Sequence, residues 1–383
     1  VTRPLVIDSH THTRFSDGQY SVDEVAQRAG KFGCDALAIS DHSDLSEEAA
    51  TPAYFAAINQ ARADYPNLVI FGGIEWNIPP YNGREHTTVL LDPTSEETLL
   101  GTFKELFEQH GATAETALQW LADKTVATGN AVLIYTHPSR KDEDVDENLH
   151  DILAWRDTNP QFIGFEGAPG HQKTKLTGSY AHKIKPRNRW DPVAADIGGV
   201  WDRLLDQGHD IWAALAVSDF HNDNLDYSPC EFSRTYVIAE DRTAQGILNG
   251  LRAGSFWADQ GRILDDLSFI ISVPGLPLPV TPGEVARLRN NPAVDVSVLL
   301  ERGPGAVNAA LVVELIGNGR TGTPQLLSSK TLPPAENTIN WTMTDLESGA
   351  DRRSTYFRVR IRKPVDDAPD LLAYTNPIRL VLR

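Results

Sequence analysis

From residue 5 to about residue 260 the chain alternates short apolar runs with amphipathic stretches. The runs Leu5–His10, Ala36–Ser40, Leu68–Glu75, His86–Leu91, Ala131–Thr136, Gln161–Glu166 and Ile211–Val217 read as strands. Helical spacing between them predicts helices over Val22–Lys31, which Ser21 can cap, and over Pro52–Tyr65, Ser95–Gln109, Glu115–Thr128, Asn148–Arg156 and Val193–Asp206. Such alternation predicts parallel strands with crossover helices, and about seven of them predict an irregular barrel rather than an open sheet.

After about Gly261 the pattern changes. Proline and glycine punctuate the short β-rich runs Leu267–Val273, Ala293–Leu299, Ala309–Ile316, Thr338–Met343, Tyr356–Ile361 and Ile378–Leu382, with one short helix expected around Pro282–Leu288. The expected fold is therefore α/β: a distorted (β/α)7 barrel over 1–260, followed by an all-β, sandwich-like domain over 261–383.

Composition narrows the function classes. The formal net charge of −17 argues against unaided binding to nucleic acid or an anionic membrane. No stretch approaches the roughly 20 apolar residues of a membrane span. Two cysteines make neither a disulfide framework nor a Cys-based zinc motif. Cys34 reads as a small core residue beside a strand, and Cys230 as a structural loop residue. The single methionine is Met343. That suits either an exported protein, periplasmic or extracellular, whose leader has been removed, or a trimmed cytoplasmic one.

The chemistry sits at the strand ends, where barrels of this type carry their active residues. Strand one ends in His10 and His12, which share a face at period two. Asp17 follows in a turn. Other strands end in Asp41-His42, Ile74-Glu75, His137, Glu166 and Asp219-Phe220-His221. His86 starts its strand, but only about ten residues separate it from Glu75. A hairpin-like return brings it to the same rim. His10, His12, Asp17, His42, Glu75, His86, His137, Asp219 and His221 form a set too large for one tetrahedral ion, and suit two or three ions with a bridging carboxylate.

Together, His10-x-His12-x4-Asp17-Gly18, Ser40-Asp41-His42, Gly73-Ile74-Glu75, His86, Thr136-His137-Pro138 and Asp219-Phe220-His221 resemble the PHP (polymerase and histidinol phosphatase) metallohydrolase superfamily. The resemblance spans residues 5 to about 260. Phe165–Gln172 and Ser233–Val237 further resemble the carbaryl-hydrolase-like CehA/McbA subgroup. The resemblance implies a first metal on His10, His12, Glu75 and Asp219, a second on Glu75, His86 and His137, and a third on Asp17, His42 and His221. Some relatives carry His where Asp17 stands, so a two-metal enzyme stays open. Mixed imidazole and carboxylate ligands suit Zn²⁺, Mn²⁺ or Fe²⁺. A metal-bridging hydroxide is the implied nucleophile, with Glu75 as the catalytic bridge.

Around this set, Arg84 and Arg140 are candidate phosphate clamps. The long polar loop 167–191 reads as a lid, with His171, Lys173, Tyr180, His182, Lys185 and Arg187 as its basic and aromatic members. His171 is a candidate general acid, and Lys173 and Arg187 candidate substrate contacts. Asp41 and Glu166 are candidates to orient ligand histidines from outside the ligand set. His110, His150 and His209 read as surface or packing residues. The leading expectation is a phosphoesterase, mono- or diester, acting on a small anionic substrate. Hydrolysis of a carboxylic or carbamic ester is the second, and an aromatic pocket from Trp76, Tyr81 or Trp190 would favour it. A non-catalytic, metal-stabilised protein binding glycan or a surface is the third. Oligomeric state is left open.

Overall fold

A computed structural model describes residues 3–79, 86–108, 111–140, 145–180, 184–319, 322–346 and 354–382, with 145–148 as backbone only. In chain order, its first part contains β1 (Leu5–Asp8), α1 (Val22–Lys31), β2 (Ala36–Ile39), α2 (Pro52–Asp64), β3 (Val69–Gly72), β4 (Ile74–Asn77), β5 (His86–Leu91), α3 (Glu96–Phe107) and α4 (Ala114–Thr125). Then come β6 (Ala131–Thr136), α5 (Val145–Thr158), β7 (Phe162–Phe165), α6 (Pro192–Ala195), α7 (Val200–Asp206), β8 (Ser233–Val237), α8 (Ala244–Arg252) and β9 (Phe256–Gln260). Strands make up the rest: β10 (Leu264–Ser272), β11 (Val285–Leu288), β12 (Val294–Arg302), β13 (Leu311–Gly317), β14 (Gln325–Leu332), β15 (Thr338–Met343), β16 (Ser354–Lys363), β17 (Leu371–Thr375) and β18 (Ile378–Leu382). The protein is thus mixed α/β with a β-rich C-terminal region.

Local chemistry sets the helix starts. Ser21 accepts the Glu24 amide, and Glu24 accepts the Ser21 amide in return. The apolar positions Val22, Val25, Ala26 and Ala29 then put one stripe of α1 into the core. At α2, Thr51 accepts the Tyr54 amide and Pro52 occupies the first turn. From that helix, the Tyr54 hydroxyl reaches the carbonyls of Ile39 and Gly73 at 2.8 and 2.7 Å. It thereby ties together the two strand ends that lead into His42 and Glu75.

The strands of the first part fall into two sheets. β1, β2 and β3 are parallel; β4, β5 and β6 are antiparallel neighbours, and β7 joins β6 in parallel. The expected strand Leu68–Glu75 is split at Gly73, where an added Cβ would stand 2.7 Å from Leu90 Cδ2 and 2.8 Å from the Val89 carbonyl. A single bridge from His42 to Glu75 links the sheets, and further single bridges join Gly164 to Trp212, Ala168 to Ala216, and Thr11 to Phe220.

Ile211–Val217 is therefore not a ladder strand. On one side its backbone bonds that of Ile163, Phe165, Gly167 and Ala168, and on the other it meets side chains. Asn376 Oδ1 accepts the amides of Ala213 and Ala214, and the Thr235 hydroxyl bonds both the amide and the carbonyl of Ala216. Gly164 permits the approach, because a Cβ there would lie 1.8 Å from the Trp212 carbonyl oxygen. Two further expectations change. The helix expected over Val193–Asp206 is the pair α6 and α7, interrupted near Gly198 and Gly199. The helix expected around Pro282–Leu288 is instead β11, parallel to β18.

The first part passes into the β-rich region through one sheet. β9 pairs with β8 on one side and β17 on the other, giving the order β11-β18-β16-β17-β9-β8-β1-β2-β3, with β13 and β14 attached at β16. β10, β12 and β15 form a separate sheet. Asp202 of α7 and Arg358 of β16 make a fully buried two-point ion pair at 2.8 and 2.9 Å, with the guanidinium over Trp201. Cys34 and Cys230 form a disulfide across 196 positions, which corrects the reading of both as unpaired structural residues. No helix among the described residues is long and apolar enough to cross a membrane.

Candidate metal centre

Strand ends and the turns after them bring all nine expected residues to one place. Buried Glu75 is the hub. Its Oε2 lies 3.3 Å from both His10 Nε2 and His12 Nε2, and 3.1 Å from His42 Nδ1. Its Oε1 lies 2.9 Å from His86 Nδ1 and 2.9 Å from His137 Nε2. The antiparallel register of β4 and β5, with Asn77 opposite His86, produces the second group.

Three clusters result. In the first, Asp219 Oδ1 stands 3.4 Å from His10 Nε2 and 3.3 Å from His12 Nε2, which are 3.0 Å from each other. An ion held by bonds of about 2.0–2.2 Å places tetrahedral ligand atoms about 3.3–3.6 Å apart, a spacing that Asp219 keeps to both imidazoles, while the two imidazoles stand closer to each other. The second contains Glu75 Oε1, His86 and His137. The third is more open: Asp17 Oδ1 is 3.3 Å from His221 Nε2, and Oδ2 is 3.7 Å from His42 Nε2. His10, His12 and Glu75 are essentially fully buried, whereas the Asp17 side chain is 53% exposed.

Charge explains the ionisation pattern. Burial alone would neutralise Glu75 and Asp219, but the imidazoles around them hold both well below the usual carboxylate range. Burial likewise opposes a proton on His10 and His12. The facing carboxylates overcome it, taking His10 well above its ordinary value and His12 up to about 10. In the second cluster burial and the nearby Arg140 press His137 down, and burial lowers His42 to about 4. Carboxylates compensated by protonated imidazoles form a donor set that a divalent cation fits, exchanging bound protons for metal.

Backbone geometry sets apart two of the nine residues and one neighbour. His137, Asp219 and His171 all have positive φ, at 32°, 47° and 54°. Non-glycine residues adopt this region where surrounding structure compels it, and such positions cluster at functional sites.

Neighbouring groups fix the cluster. Glu166 Oε1 lies 2.7 Å from His10 Nδ1, and Oε2 accepts the His137 amide. Burial pushes the Glu166 carboxyl up to about 7, against the pull of His10. Asp41 touches no ligand ring through its hydrogen bonds. It accepts the Thr13 amide and the hydroxyls of Thr13 and Ser16, and so shapes the turn before Asp17.

Three aspartates were not legible as part of the site. Asp8 accepts the Ser218 amide, Asp191 accepts the Ser139 amide and hydroxyl, and Asp226 accepts the His221 amide. Only Asp8, a charge ending an apolar run, leaves any signal in the sequence.

A cavity of about 320 Å³ opens onto the clusters, lined in part by Arg140, His171, Ser179, Asn222 and Leu225. Arg140 Nη2 pairs with Asp219 Oδ2 at 3.0 Å, while its buried Nε has no hydrogen-bond partner among the described residues. His171 Nδ1 is 2.7 Å from Asp226 Oδ1.

Lys173 and Arg187 are not brought to this cavity. Lys173 donates to the Asp223 carbonyl, and the largely exposed Arg187 pairs with Asp196. Trp76 packs against Phe103 and Trp190 against Tyr374, both buried and neither lining the cavity. Buried Tyr180 contacts Asp191 through its hydroxyl. Arg84, Tyr81, His110 and His182 lie outside the described residues.

The PHP domain model matches residues 8–125. An uncharacterized protein of Methanocaldococcus jannaschii is 27% identical over 179 residues, which are 46% of this chain and 73% of that one. A two-domain protein of Bacteroides vulgatus, described as containing a predicted PHP-like metal-dependent phosphoesterase, is 16% identical. That likeness covers 97% of this chain and 94% of the other, with a TM-score of 0.49. An amidohydrolase from Chromobacterium violaceum with bound sulfate is 17% identical over 58% of this chain and 89% of its own, with a TM-score of 0.36.

Proposed function

Taking as premise a chain whose residues 8–125 match the PHP domain, we propose that it is a metal-dependent hydrolase of phosphoric esters. The observation that carries the reading is the division of Glu75, with one oxygen in the His10–His12–Asp219 cluster and the other between His86 and His137. In this reading His10, His12, Glu75 and Asp219 hold one ion, Glu75, His86 and His137 a second, and Asp17, His42 and His221 a third, of Zn²⁺, Mn²⁺ or Fe²⁺. In the same reading 1–260 is a distorted (β/α)7 barrel and 261–383 its β-sandwich-like companion. The ions supply an activated water and Lewis-acid stabilisation of charge developing at phosphorus.

The protein's own groups do the rest. Glu75 and Asp219 keep the cluster anionic and so hold cations close together. Glu166 keeps the proton of His10 on Nδ1, leaving Nε2 free to coordinate. Arg140 presents a guanidinium to the cavity wall, where it binds a non-bridging phosphate oxygen. His171, on the same wall, stands where it can pass a proton to a leaving oxygen. Among the described residues, the mainly polar lining of the cavity and the placement of Trp76 and Trp190 away from it favour phosphoester over aryl carbamate. The disulfide suits an oxidising compartment outside the cytosol.

The test is a substrate panel with Mn²⁺ or Zn²⁺: p-nitrophenyl phosphate, bis-p-nitrophenyl phosphate and an aryl ester, beside His12→Ala. Phosphoester turnover in the wild type, lost in His12→Ala, is the expected result. Turnover of the aryl ester alone would replace this reading with carboxylic or carbamic ester hydrolysis. Full activity of His12→Ala would remove the metal mechanism.

A further inference from the structure

One fully buried carboxylate lies just outside the ligand set and grips two parts of it. Asp226 Oδ2 accepts the backbone amides of His221, at 2.7 Å, and Asn222, at 3.1 Å. Its Oδ1 faces His171 Nδ1 at 2.7 Å. The rings of His171 and His221 meet nearly edge-on, with centroids 5.2 Å apart. His221 also points Nδ1 at the Asp219 carbonyl and Nε2 at Asp17.

Burying a carboxylate is unfavourable unless strong donors surround it, and here two amides bond Oδ2 while the His171 imidazole stands against Oδ1. Those donors come from separate stretches. His171 belongs to loop 167–191 and is fixed there by its own amide on the Ser218 carbonyl; His221 belongs to the segment carrying Asp219. The third cluster is the most exposed and the most loosely spaced of the three. It therefore depends most on support from outside its ligand atoms.

We infer that Asp226 is a positioning residue, whose one carboxylate sets both the His221 ligand of the third metal position and the orientation of the His171 ring. This rests on the metal-dependent reading above. A proton on His171 Nδ1 keeps two lone pairs from facing each other across the 2.7 Å approach to Asp226 Oδ1, whose alignment falls short of a regular hydrogen bond. His171 Nε2 is then the nitrogen free to serve the cavity. Losing Asp226 frees the His221 turn and the His171 ring together.

Metal content of the full chain tests the first half. After equilibration with Mn²⁺ at fixed free concentration, the wild type is expected to hold three ions. Asp226→Ala is expected to hold two, with the third bound about ten- to hundredfold more weakly. Asp226→Asn keeps an oxygen for the two amides and is expected to retain three ions. It turns an NH₂ group toward His171, and this tests the second half. At about pH 9, above the ordinary imidazole range, ¹⁵N spectra are expected to show the His171 proton on Nδ1 in the wild type and on Nε2 in Asp226→Asn.

Unchanged third-ion affinity in Asp226→Ala overturns the first half, and an unchanged His171 pattern in Asp226→Asn the second. If Asp226→Ala does not fold, the Asn variant still decides through the His171 pattern. A wild type holding only two ions overturns the inference and leaves a binuclear hydrolase. A wild type holding none overturns the metal-dependent reading itself.

Discussion

Glu166 and His10 meet at 2.7 Å between Oε1 and Nδ1, and both are buried. The second Glu166 oxygen accepts the His137 amide at 3.0 Å, so one carboxylate braces two clusters. A carboxylate in this position fixes the tautomer of a metal-binding imidazole. Glu166→Gln is therefore expected to weaken metal binding about 10- to 100-fold with the fold intact. Competition titration against a chromophoric chelator measures it, with circular dichroism as the control. Wild-type affinity in the variant would show that Glu166 is only a packing residue.

The arrangement of Glu166, His10 and Glu75 shows what the sequence makes legible. His10 and His12 share a face because a strand repeats every two residues, and strand ends gather at one rim. The short link from Glu75 to His86 leaves room only for a return, and β4 and β5 do pair antiparallel. Other features leave no such trace. Asp226 and Asp191 bond backbone amides, which have no residue identity to read. Ile211–Val217 has the apolar run of a strand and bonds the β7 segment on one side, but on the other Asn376 and Thr235, distant in sequence, take the place of a ladder partner. The pairing of Cys34 with Cys230 depends on proximity that only the fold creates.

Asp202 and Arg358 hold α7 against the β-rich region. Removing one partner of a fully buried pair leaves the other charge stranded, at a cost of about 3–5 kcal/mol. Asp202→Ala is expected to lose stability of that order in urea unfolding. The double change Asp202→Leu with Arg358→Met is expected to lose much less. A single variant as stable as the wild type would contradict the burial argument.

Asp259 predicts a pH dependence. Burial, only partly offset by the Leu264 amide, pushes its carboxyl from 3.8 up to about 7. An acid raised on folding keeps a proton that the unfolded chain has released, so its contribution to stability falls as pH rises between about 4 and 7. Above that window nothing further is lost. Asp259→Asn removes the slope and is expected to gain about 2–3 kcal/mol on the wild type between pH 5 and pH 8. Thermal melts at the two pH values measure it, and an unchanged gap would count against the buried charge.

The Cys34–Cys230 bond turns the intervening chain into a covalent ring. His42, Glu75, His86, His137, Asp219 and His221 ride on that ring, whereas His10, His12 and Asp17 sit on the tail before it. One backbone cut within the ring leaves fragments that travel together until reductant is added. One cut between Asp17 and Cys34 frees a tail held only by non-covalent contacts, with β1 hydrogen-bonded between β2 and β8. The metal centre is in this sense a two-piece assembly, a closed hoop and an inserted tongue, completed only when β1 docks.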